Sequence, residues 1–219
     1  MSPAAGWPPR QRTPLTKICG VTRPDLAAAA AEAGADMIGI AHFPPSPRHL
    51  GLDEAADVRA AAGRSLVVVL TVDAHDATLD GLIAAVSPDA LQFHGSESAE
   101  RVCELRARYR LPVMKAFGIR SSEDVAAVQT DALPLLDAKP PKGADRPGGH
   151  GATFDWSLLD GFASEYMLSG GLTADNVGEA VNRLKPYAVD VSSGVETNGV
   201  KDPQKIAAFV RAVAESARG

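Results

Sequence analysis

Short apolar runs recur along this 219-residue chain at nearly even spacing, and this recurrence restricts the fold more than any other feature. Their first residues lie 20 to 33 positions apart. Several runs are apolar at both odd and even positions, which is typical of strands that are covered on both faces. The eight runs are 17–19, 37–43, 66–72, 91–93, 113–117, 133–137, 166–168 and 189–191.

The segments between these runs carry helical periodicity. Apolar residues recur at i, i+3, i+4 and i+7 in two of them, at Leu79, Leu82, Ile83 and Val86 and again at Ile206, Phe209, Val210 and Val213. Strands that alternate with helices pair in parallel through right-handed crossovers. Eight such units in about 200 residues predict an α/β fold, a single (β/α)8 TIM barrel with an eight-stranded parallel sheet. A doubly wound open sheet is the alternative, but no Gly-x-Gly-x-x-Gly follows the first run.

The chain is expected to form one domain after a short tail. Residues 1–16 contain Pro3, Pro8, Pro9 and Pro14 and no continuous apolar stretch, so we expect a disordered N-terminal tail and no signal peptide. No shift in composition divides residues 17–219, which predicts that they make up the barrel.

Composition excludes several functional classes. The chain has 22 basic and 27 acidic side chains, a net charge of −5, which argues against binding to a nucleic-acid backbone. The longest apolar runs are about five residues, far short of the ~20 that cross a bilayer. Its two cysteines, Cys19 and Cys103, form neither a disulfide framework nor a zinc-ligand pattern. We therefore expect a cytoplasmic protein that binds a small molecule and contains no metal. The sequence does not determine the oligomeric state, for which a monomer is favoured over an oligomer.

Polar residues follow the apolar runs, where a (β/α)8 barrel places its active site. Cys19 ends the first run, where a thiol acts as a general base or nucleophile if a cation lowers its pKa. Asp137 ends the sixth run and is a candidate general acid. The alternatives are an inert buried cysteine and an aspartate paired with Lys115 or Lys139.

Further candidates for substrate contact lie in the second and fourth loops. Arg48 follows a proline-rich loop, and its guanidinium can donate two hydrogen bonds to a carboxylate in a bidentate arrangement. Gln92 and His94 lie at the end of the fourth run, with a turn cap as the alternative for His94. An alternative hypothesis for the activity of this barrel is a Schiff-base aldolase that uses Lys115 or Lys139.

Glycine and serine follow the seventh and eighth runs, where this fold often binds phosphate through backbone N–H groups. The candidates are Gly170, Gly171, Asp190, Ser192 and Ser193. Residues 139–153, rich in proline and glycine, form a long loop after the sixth run and are a candidate lid beside Asp137. The alternative for the Gly/Ser segments is a pair of ordinary turns, and the alternative for residues 139–153 is a disordered loop.

Taken together, these strand ends resemble the phosphoribosylanthranilate isomerase family. The resemblance runs in order from residue 17 to the C-terminus, and its most diagnostic segments are Lys-Ile-Cys-Gly at 17–20 and Asp-Val-Ser-Ser-Gly-Val-Glu at 190–196. The other matching segments are 44–48, 91–95, 135–137, 153–156 and 168–172.

The resemblance implies a (β/α)8 barrel that works without cofactor or metal in tryptophan biosynthesis. It implies conversion of N-(5′-phosphoribosyl)anthranilate to 1-(2-carboxyphenylamino)-1-deoxyribulose 5-phosphate by an Amadori rearrangement. Asp137 would be the general acid and Cys19, as a thiolate, the general base. Arg48 would bind the anthranilate carboxylate, with His94 near the anthranilate or the sugar ring, and the Gly/Ser segments would surround the phosphate.

These roles require a protonated Asp137 and an ionised Cys19, and Arg48 is the expected source of a lowered thiol pKa. The rival activities are isomerisation of the related histidine-pathway aminoaldose, acceptance of both substrates, a Schiff-base aldolase, and phosphate binding without catalysis. The histidine-pathway family generally has an aspartate at the end of the first strand, so Cys19 argues against it.

Overall fold

A closed parallel barrel forms the centre of the protein. The computed structural model describes residues 6–10, 13–139 and 153–216. The barrel strands β1 to β8 are Leu15–Cys19, Met37–Ala41, Leu66–Thr71, Ala90–Phe93, Val113–Ile119, Leu133–Ala138, Met167–Leu168 and Ala188–Val191. Each strand pairs with the next, and β1 closes the ring on β8, with Leu15 opposite Ala188. The predicted (β/α)8 barrel is confirmed, and the open-sheet alternative is wrong.

Seven α-helices lie between and after the strands in the described part of the chain. They are α1 Pro24–Glu32, α2 Leu52–Ala60, α3 Asp76–Val86, α4 Ala99–Tyr109, α5 Ser122–Ala126, α6 Val177–Leu184 and α7 Pro203–Ser216. The expected helix between β6 and β7 is replaced, in the described residues, by a 3-10 turn at Trp156–Leu159. The expected eighth helix is thus not found in the described residues at this position, and residues 140–152 lie outside them.

Two apolar layers hold the barrel together. The outer layer lies between strands and helices and contains the two predicted helix faces, with Leu79, Leu82, Ile206 and Phe209 fully buried. The inner layer fills the barrel with side chains such as Met114, drawn from alternate strand positions. Period-2 alternation therefore sends one face of each strand inward, and the residues at the carboxyl ends of that face line the barrel mouth.

The N-terminal segment differs from the expected disordered tail. Strand β1 begins at Leu15, inside residues 1–16. Trp7 is only 8% exposed and packs against the inner layer, and the Tyr187 hydroxyl donates a hydrogen bond to the Pro8 carbonyl oxygen. The large apolar area of a tryptophan favours this burial, so the prediction is corrected for these residues.

A short antiparallel ribbon after β8 is absent from the sequence prediction. Its strands are β9 Glu196–Thr197 and β10 Val200–Lys201. Asn198 and Gly199 connect them with φ values of 52° and 79°, the left-handed conformations of a tight hairpin turn. The Asn-Gly pair in the sequence was a usable signal for this hairpin. The ribbon carries Glu196 and Lys201 to the barrel mouth.

Candidate active site

The two candidate acid–base residues lie at the carboxyl ends of their strands. Cys19 is the last residue of β1 and Asp137 lies one residue before the end of β6. Their exposed fractions are 7% and 6%, so each is nearly but not completely shielded at the mouth. On the shorter path around the ring, only β7 and β8 lie between β1 and β6.

Cys19 lies in a small space bounded by Gly39 and Lys17. Gly39 is opposite Cys19 in the β1–β2 register. A Cβ atom placed on Gly39 would lie 3.0 Å from the Cys19 Sγ and 3.1 Å from the Lys17 Nζ. A larger residue at position 39 would therefore press on both the thiol and the ammonium.

The electrostatics of Cys19 differ from the expectation. Burial raises the pKa of the Cys19 thiol, and the positive charge of Lys17 acts against that rise. Asp190 raises the pKa further, whereas Lys201 lowers it. The net direction is upward, so the predicted lowered thiol pKa is corrected. The cations that act most strongly on the thiol are Lys17 and Lys201, in place of the expected Arg48.

Asp137 faces His94, from the loop after β4, and His94 is in turn held by Gln92 on β4. The His94 Nε2 lies 3.6 Å from the Asp137 Oδ2, within ion-pair range but longer than a hydrogen bond. The Nδ1 of the same ring lies 2.9 Å from the Gln92 Nε2. With the amide nitrogen as donor, Nδ1 accepts, so the ring proton resides on Nε2 and faces Asp137. The other carboxylate oxygen, Oδ1, accepts the Ala138 backbone N–H at 2.8 Å.

The Gln92 side chain has one atom left for a ligand. Gln92 is fully buried, and its Oε1 has no hydrogen-bond partner among the described residues. An orphaned buried acceptor is uncommon in folded proteins and costs free energy unless something donates to it. The prediction places Gln92 in the substrate site, and this free acceptor fits such a role.

The two lysines offered as partners of Asp137, or as Schiff-base nucleophiles, are engaged elsewhere. Lys115 donates to the Gly95 carbonyl oxygen at 2.6 Å and to Glu97 at 3.0 Å. Lys139 donates to Asp124 at 2.8 Å. Pairing of Asp137 with either lysine is therefore wrong for the described structure.

Arg48 reaches the mouth and is held by the β9–β10 ribbon. Its Nε and Nη2 each donate to the Glu196 carboxylate at 2.7 Å. Its aliphatic stem packs on Gly20, which has a φ of 72° and where a Cβ would lie 2.4 Å from the Arg48 Cδ. Lys201, nearly fully buried, also bonds to Glu196. Burial opposes ionisation of Glu196, but the hydrogen bond from Arg48 and the charge of Lys201 hold its pKa below the ordinary range.

The loops after β7 and β8 come together, as the phosphate prediction requires. Gly170 and Gly171 have φ values of 92° and 61°, and a 3-10 turn at Ser193–Val195 follows β8. A Cβ on Gly194 would lie 1.9 Å from the Leu172 carbonyl oxygen, so the two loops are in backbone contact.

Two members of the predicted phosphate set have other partners. The Asp190 carboxylate accepts the Lys17 ammonium at 2.7 Å and the Ser169 hydroxyl at 3.0 Å inside the barrel. Asp190 is therefore paired inside the barrel, and its assignment to the phosphate neighbourhood stays a prediction. Ser192 contacts the Lys201 Nζ through its carbonyl and hydroxyl oxygens, at 3.2 and 3.3 Å. Lys201, which the sequence analysis did not single out, therefore lies beside the predicted phosphate loop.

Three predictions depend on which residues the structure describes. Most of the predicted lid, residues 140–152, lies outside the described residues. Within residues 6–10, 13–139 and 153–216, no group of three or more His, Cys, Asp or Glu side chains is arranged to hold a metal ion. No helix in the same ranges is long and apolar enough to cross a membrane.

The family model and the sequence relatives give one consistent result. The family model for N-(5′-phosphoribosyl)anthranilate isomerase matches residues 16–212. The chain is 53% identical over 213 residues to the isomerase of that name from Rhodospirillum rubrum, with 92% of this chain and 98% of the relative covered.

Solved structures agree with the sequence comparisons. The phosphoribosylanthranilate isomerase of Thermotoga maritima superposes with a TM-score of 0.81 at 33% identity, covering 92% of this chain and 99% of that one. Another isomerase structure, in complex with reduced 1-(o-carboxyphenylamino)-1-deoxyribulose 5-phosphate, gives a TM-score of 0.78 at 30% identity, with 92% and 99% covered. The resemblance predicted from the strand ends is thereby confirmed, and the chain belongs to the N-(5′-phosphoribosyl)anthranilate isomerase family, the aldose–ketose isomerases of tryptophan biosynthesis.

Proposed function

We propose that the chain converts N-(5′-phosphoribosyl)anthranilate to 1-(2-carboxyphenylamino)-1-deoxyribulose 5-phosphate with Asp137 as general acid and Cys19 as general base. The observation that carries the proposal is the placement of one acid and one thiol at the carboxyl ends of β6 and β1, around the same barrel mouth. An aldose-to-ketose shift needs these two functions on either side of neighbouring carbon atoms.

The reaction divides into two proton transfers at the protein. The protonated Asp137 carboxyl gives its proton to the furanose ring oxygen, the C1′–O bond breaks, and the anthranilate nitrogen supplies electrons to form an iminium. The Cys19 thiolate then takes the C2′ proton, and the electrons of that C–H bond neutralise the iminium as an enolamine. Tautomerisation of the enolamine, with transfer of the hydroxyl proton to C1′, gives the ketone.

His94 and Gln92 support the acid half of this mechanism. The His94 Nε2–H faces Asp137, so it can stabilise the carboxylate that remains after proton donation. The free Gln92 Oε1 supplies an acceptor for a sugar hydroxyl or the anilino N–H.

The anionic ends of the substrate have separate partners. Glu196 occupies the Nε–Nη2 side of Arg48. The end of the guanidinium that carries Nη1 is then left to bind a carboxylate with two parallel hydrogen bonds. We assign the phosphate to Gly170, Gly171, Ser192 and Ser193, with Lys201 adding positive charge behind Ser192.

Rescue of growth tests the activity in cells. A strain that lacks the isomerase is expected to grow without tryptophan when it expresses this chain. Expression of Cys19→Ser or Asp137→Asn should fail to rescue, and the exposed Cys103→Ser variant should rescue fully.

Steady-state assays on both aminoaldose substrates complete the test. We expect turnover of the anthranilate substrate, with kcat reduced by about 10² to 10⁴ for Cys19→Ser and Asp137→Asn. Turnover of the histidine-pathway aminoaldose alone would reject the proposal, and turnover of both would make the enzyme dual-substrate.

A monomeric state in the cytoplasm remains part of the proposal. Among the described residues, the large apolar side chains that are well exposed are Leu52 and Val200, at 40% and 48%, and they form no extended patch to bury against a partner. Light scattering after size-exclusion chromatography should give the mass of one chain, 22.8 kDa. A mass of twice that value would contradict the monomer.

A further inference from the structure

Lys17 is a buried cation that the acid–base mechanism does not use. Its side chain has no exposed surface, in the middle of β1. Burying an ammonium group costs several kcal/mol unless a close partner compensates, so its presence in the barrel needs a reason. The Asp190 carboxylate compensates it at 2.7 Å and is itself held by the Ser169 hydroxyl at 3.0 Å. Although burial disfavours the charge, Asp190 keeps the pKa of Lys17 above its ordinary range.

The anchored ammonium lies beside the sulfur of Cys19. Lys17 and Cys19 are two residues apart on one strand, so both side chains point into the barrel. The single glycine-sized space over Gly39 borders both groups, with Sγ at 3.0 Å and Nζ at 3.1 Å from the same point. Among the charged groups that act on the thiol, Lys17 is the one whose positive charge most favours the thiolate.

The other charged groups near the thiol come from three separate elements. Asp190 on β8 disfavours the thiolate, and Lys201 on β10 favours it. Arg48, on the loop after β2, also interacts with Cys19. Arg48 and Lys201 both bond directly to the Glu196 carboxylate, which offsets their charge at the sulfur.

We propose that Lys17 is a positioning residue for the general base: its ammonium, anchored on Asp190, stabilises the thiolate of Cys19 and fixes the sulfur at the barrel mouth. The inference rests on the proposed role of Cys19, but the stabilisation itself is a property of the protein without substrate. Asp190 then has two effects. It fixes the position of the ammonium, and its own charge partly offsets the stabilisation of the thiolate by Lys17.

The pH dependence of Cys19 alkylation measures this stabilisation directly. The rate of reaction with iodoacetamide follows the thiolate fraction, and mass spectrometry reports the modified site. A Cys103→Ser background removes the exposed second thiol and serves as the parent. We expect Lys17→Met to shift the midpoint of the alkylation curve upward by at least one pH unit. At any pH below the midpoints of both proteins, the variant should then be alkylated at least tenfold more slowly than the parent.

For two further variants, the proposal predicts the direction in which the alkylation midpoint shifts. Asp190→Asn removes the charge that opposes the thiolate, so it should shift the midpoint downward. Lys17→Met with Asp190→Asn leaves no unpaired charge in the barrel and should still shift the midpoint upward, by less than the single variant, because the influence of Lys17 is larger. A merely structural role for Lys17 would not produce opposite shifts.

An unchanged midpoint in a folded Lys17→Met protein, or in the neutral double variant, would overturn the proposal. If neither of these proteins folds by circular dichroism, Lys17→Gln decides, because its amide can still donate to Asp190 but carries no charge: an upward shift supports the proposal and no shift rejects it. These outcomes are independent of the proposed function. A parent that shows the shifts but does not turn over the anthranilate substrate would reject the function alone.

Discussion

The Arg48 guanidinium and the Glu196 carboxylate are joined by two parallel hydrogen bonds, from Nε to Oε1 and from Nη2 to Oε2, each 2.7 Å long. The two residues lie 148 positions apart in the chain. Glu196 thus fixes the rotation of the guanidinium and determines which of its edges faces the barrel mouth. A loop arginine without such a partner would lose side-chain entropy when it binds a ligand.

Loss of the Glu196 charge is expected to weaken substrate binding more than catalysis. In Glu196→Gln, Arg48 keeps its own charge but loses one of its two charge-assisted acceptors. The lost hydrogen bond weakens the orientation of the guanidinium by about 1–1.5 kcal/mol. We expect KM to rise about five- to tenfold, with kcat changed less, in steady-state assays. Asp25→Asn removes the exposed Arg23–Asp25 pair and should leave both constants unchanged. An unchanged KM in Glu196→Gln would show that Glu196 does not orient Arg48.

Removal of Trp7 should destabilise the barrel without reducing activity. Trp7 packs on the inner apolar layer, away from the carboxyl ends of the strands. Trp7→Ala is expected to lower the free energy of unfolding by about 2–4 kcal/mol, measured by urea denaturation, with kcat within twofold of the parent. Leu52→Ala, at a side chain that is 40% exposed, should cost less than about 1 kcal/mol. Equal losses in the two variants would mean that the N-terminal segment does not stabilise the barrel.

The positions of Cys19 and Asp137 were predictable because strand ends follow from local patterns. Both-face burial makes the barrel strands apolar, and a polar residue that ends such a run marks the mouth of the barrel. The hairpin at Asn198 and Gly199 was also predictable in principle, from its turn residues. Each of these signals lies within a few residues of the feature it marks.

The charge pairs of the site could not be predicted, because they form only when the barrel closes. Lys17 and Asp190 are 173 positions apart and meet because β1 pairs with β8. The resemblance assigned Asp190 to the phosphate, and the expectation for the Cys19 pKa relied on Arg48. Neither the Lys17–Asp190 pair nor the effect of Lys17 on Cys19 was foreseen, since a sequence motif names charged residues without showing which opposite charge each one contacts.

Alkaline unfolding should depend on two buried tyrosines. Burial raises the pKa of Tyr166 to about 12, and burial with the charge of Glu165 raises that of Tyr187 to about 12. Each folded pKa lies above the unfolded value near 10, so the stabilisation is complete below about pH 10 and is lost as the pH rises toward 12. Each tyrosine should therefore remove about 2 kcal/mol of stability between pH 9 and 11.5.

The corresponding phenylalanine variants test this dependence. Tyr166→Phe and Tyr187→Phe should each flatten the alkaline fall in the free energy of unfolding, followed by denaturant titration at a series of pH values. Each variant also loses one hydrogen bond, to Leu184 or to Pro8 respectively, which lowers stability at every pH by about 1 kcal/mol. An alkaline slope as steep as that of the parent would contradict the prediction.

Alanine at Gly170 should displace Asp137, whereas alanine at Gly161 should not. Both glycines have left-handed backbone, with φ values of 92° and 87°. A Cβ on Gly170 would lie 2.6 Å from the Ala138 nitrogen and 3.0 Å from the Asp137 Oδ1, but one on Gly161 meets nothing within 4 Å. Both variants should lose about 1–2 kcal/mol of stability from backbone strain. Only Gly170→Ala should also lose kcat, by tenfold or more, because the shifted carboxyl no longer reaches the ring oxygen. Equal kcat values for the two variants would show that the contact at Gly170 does not determine the position of Asp137.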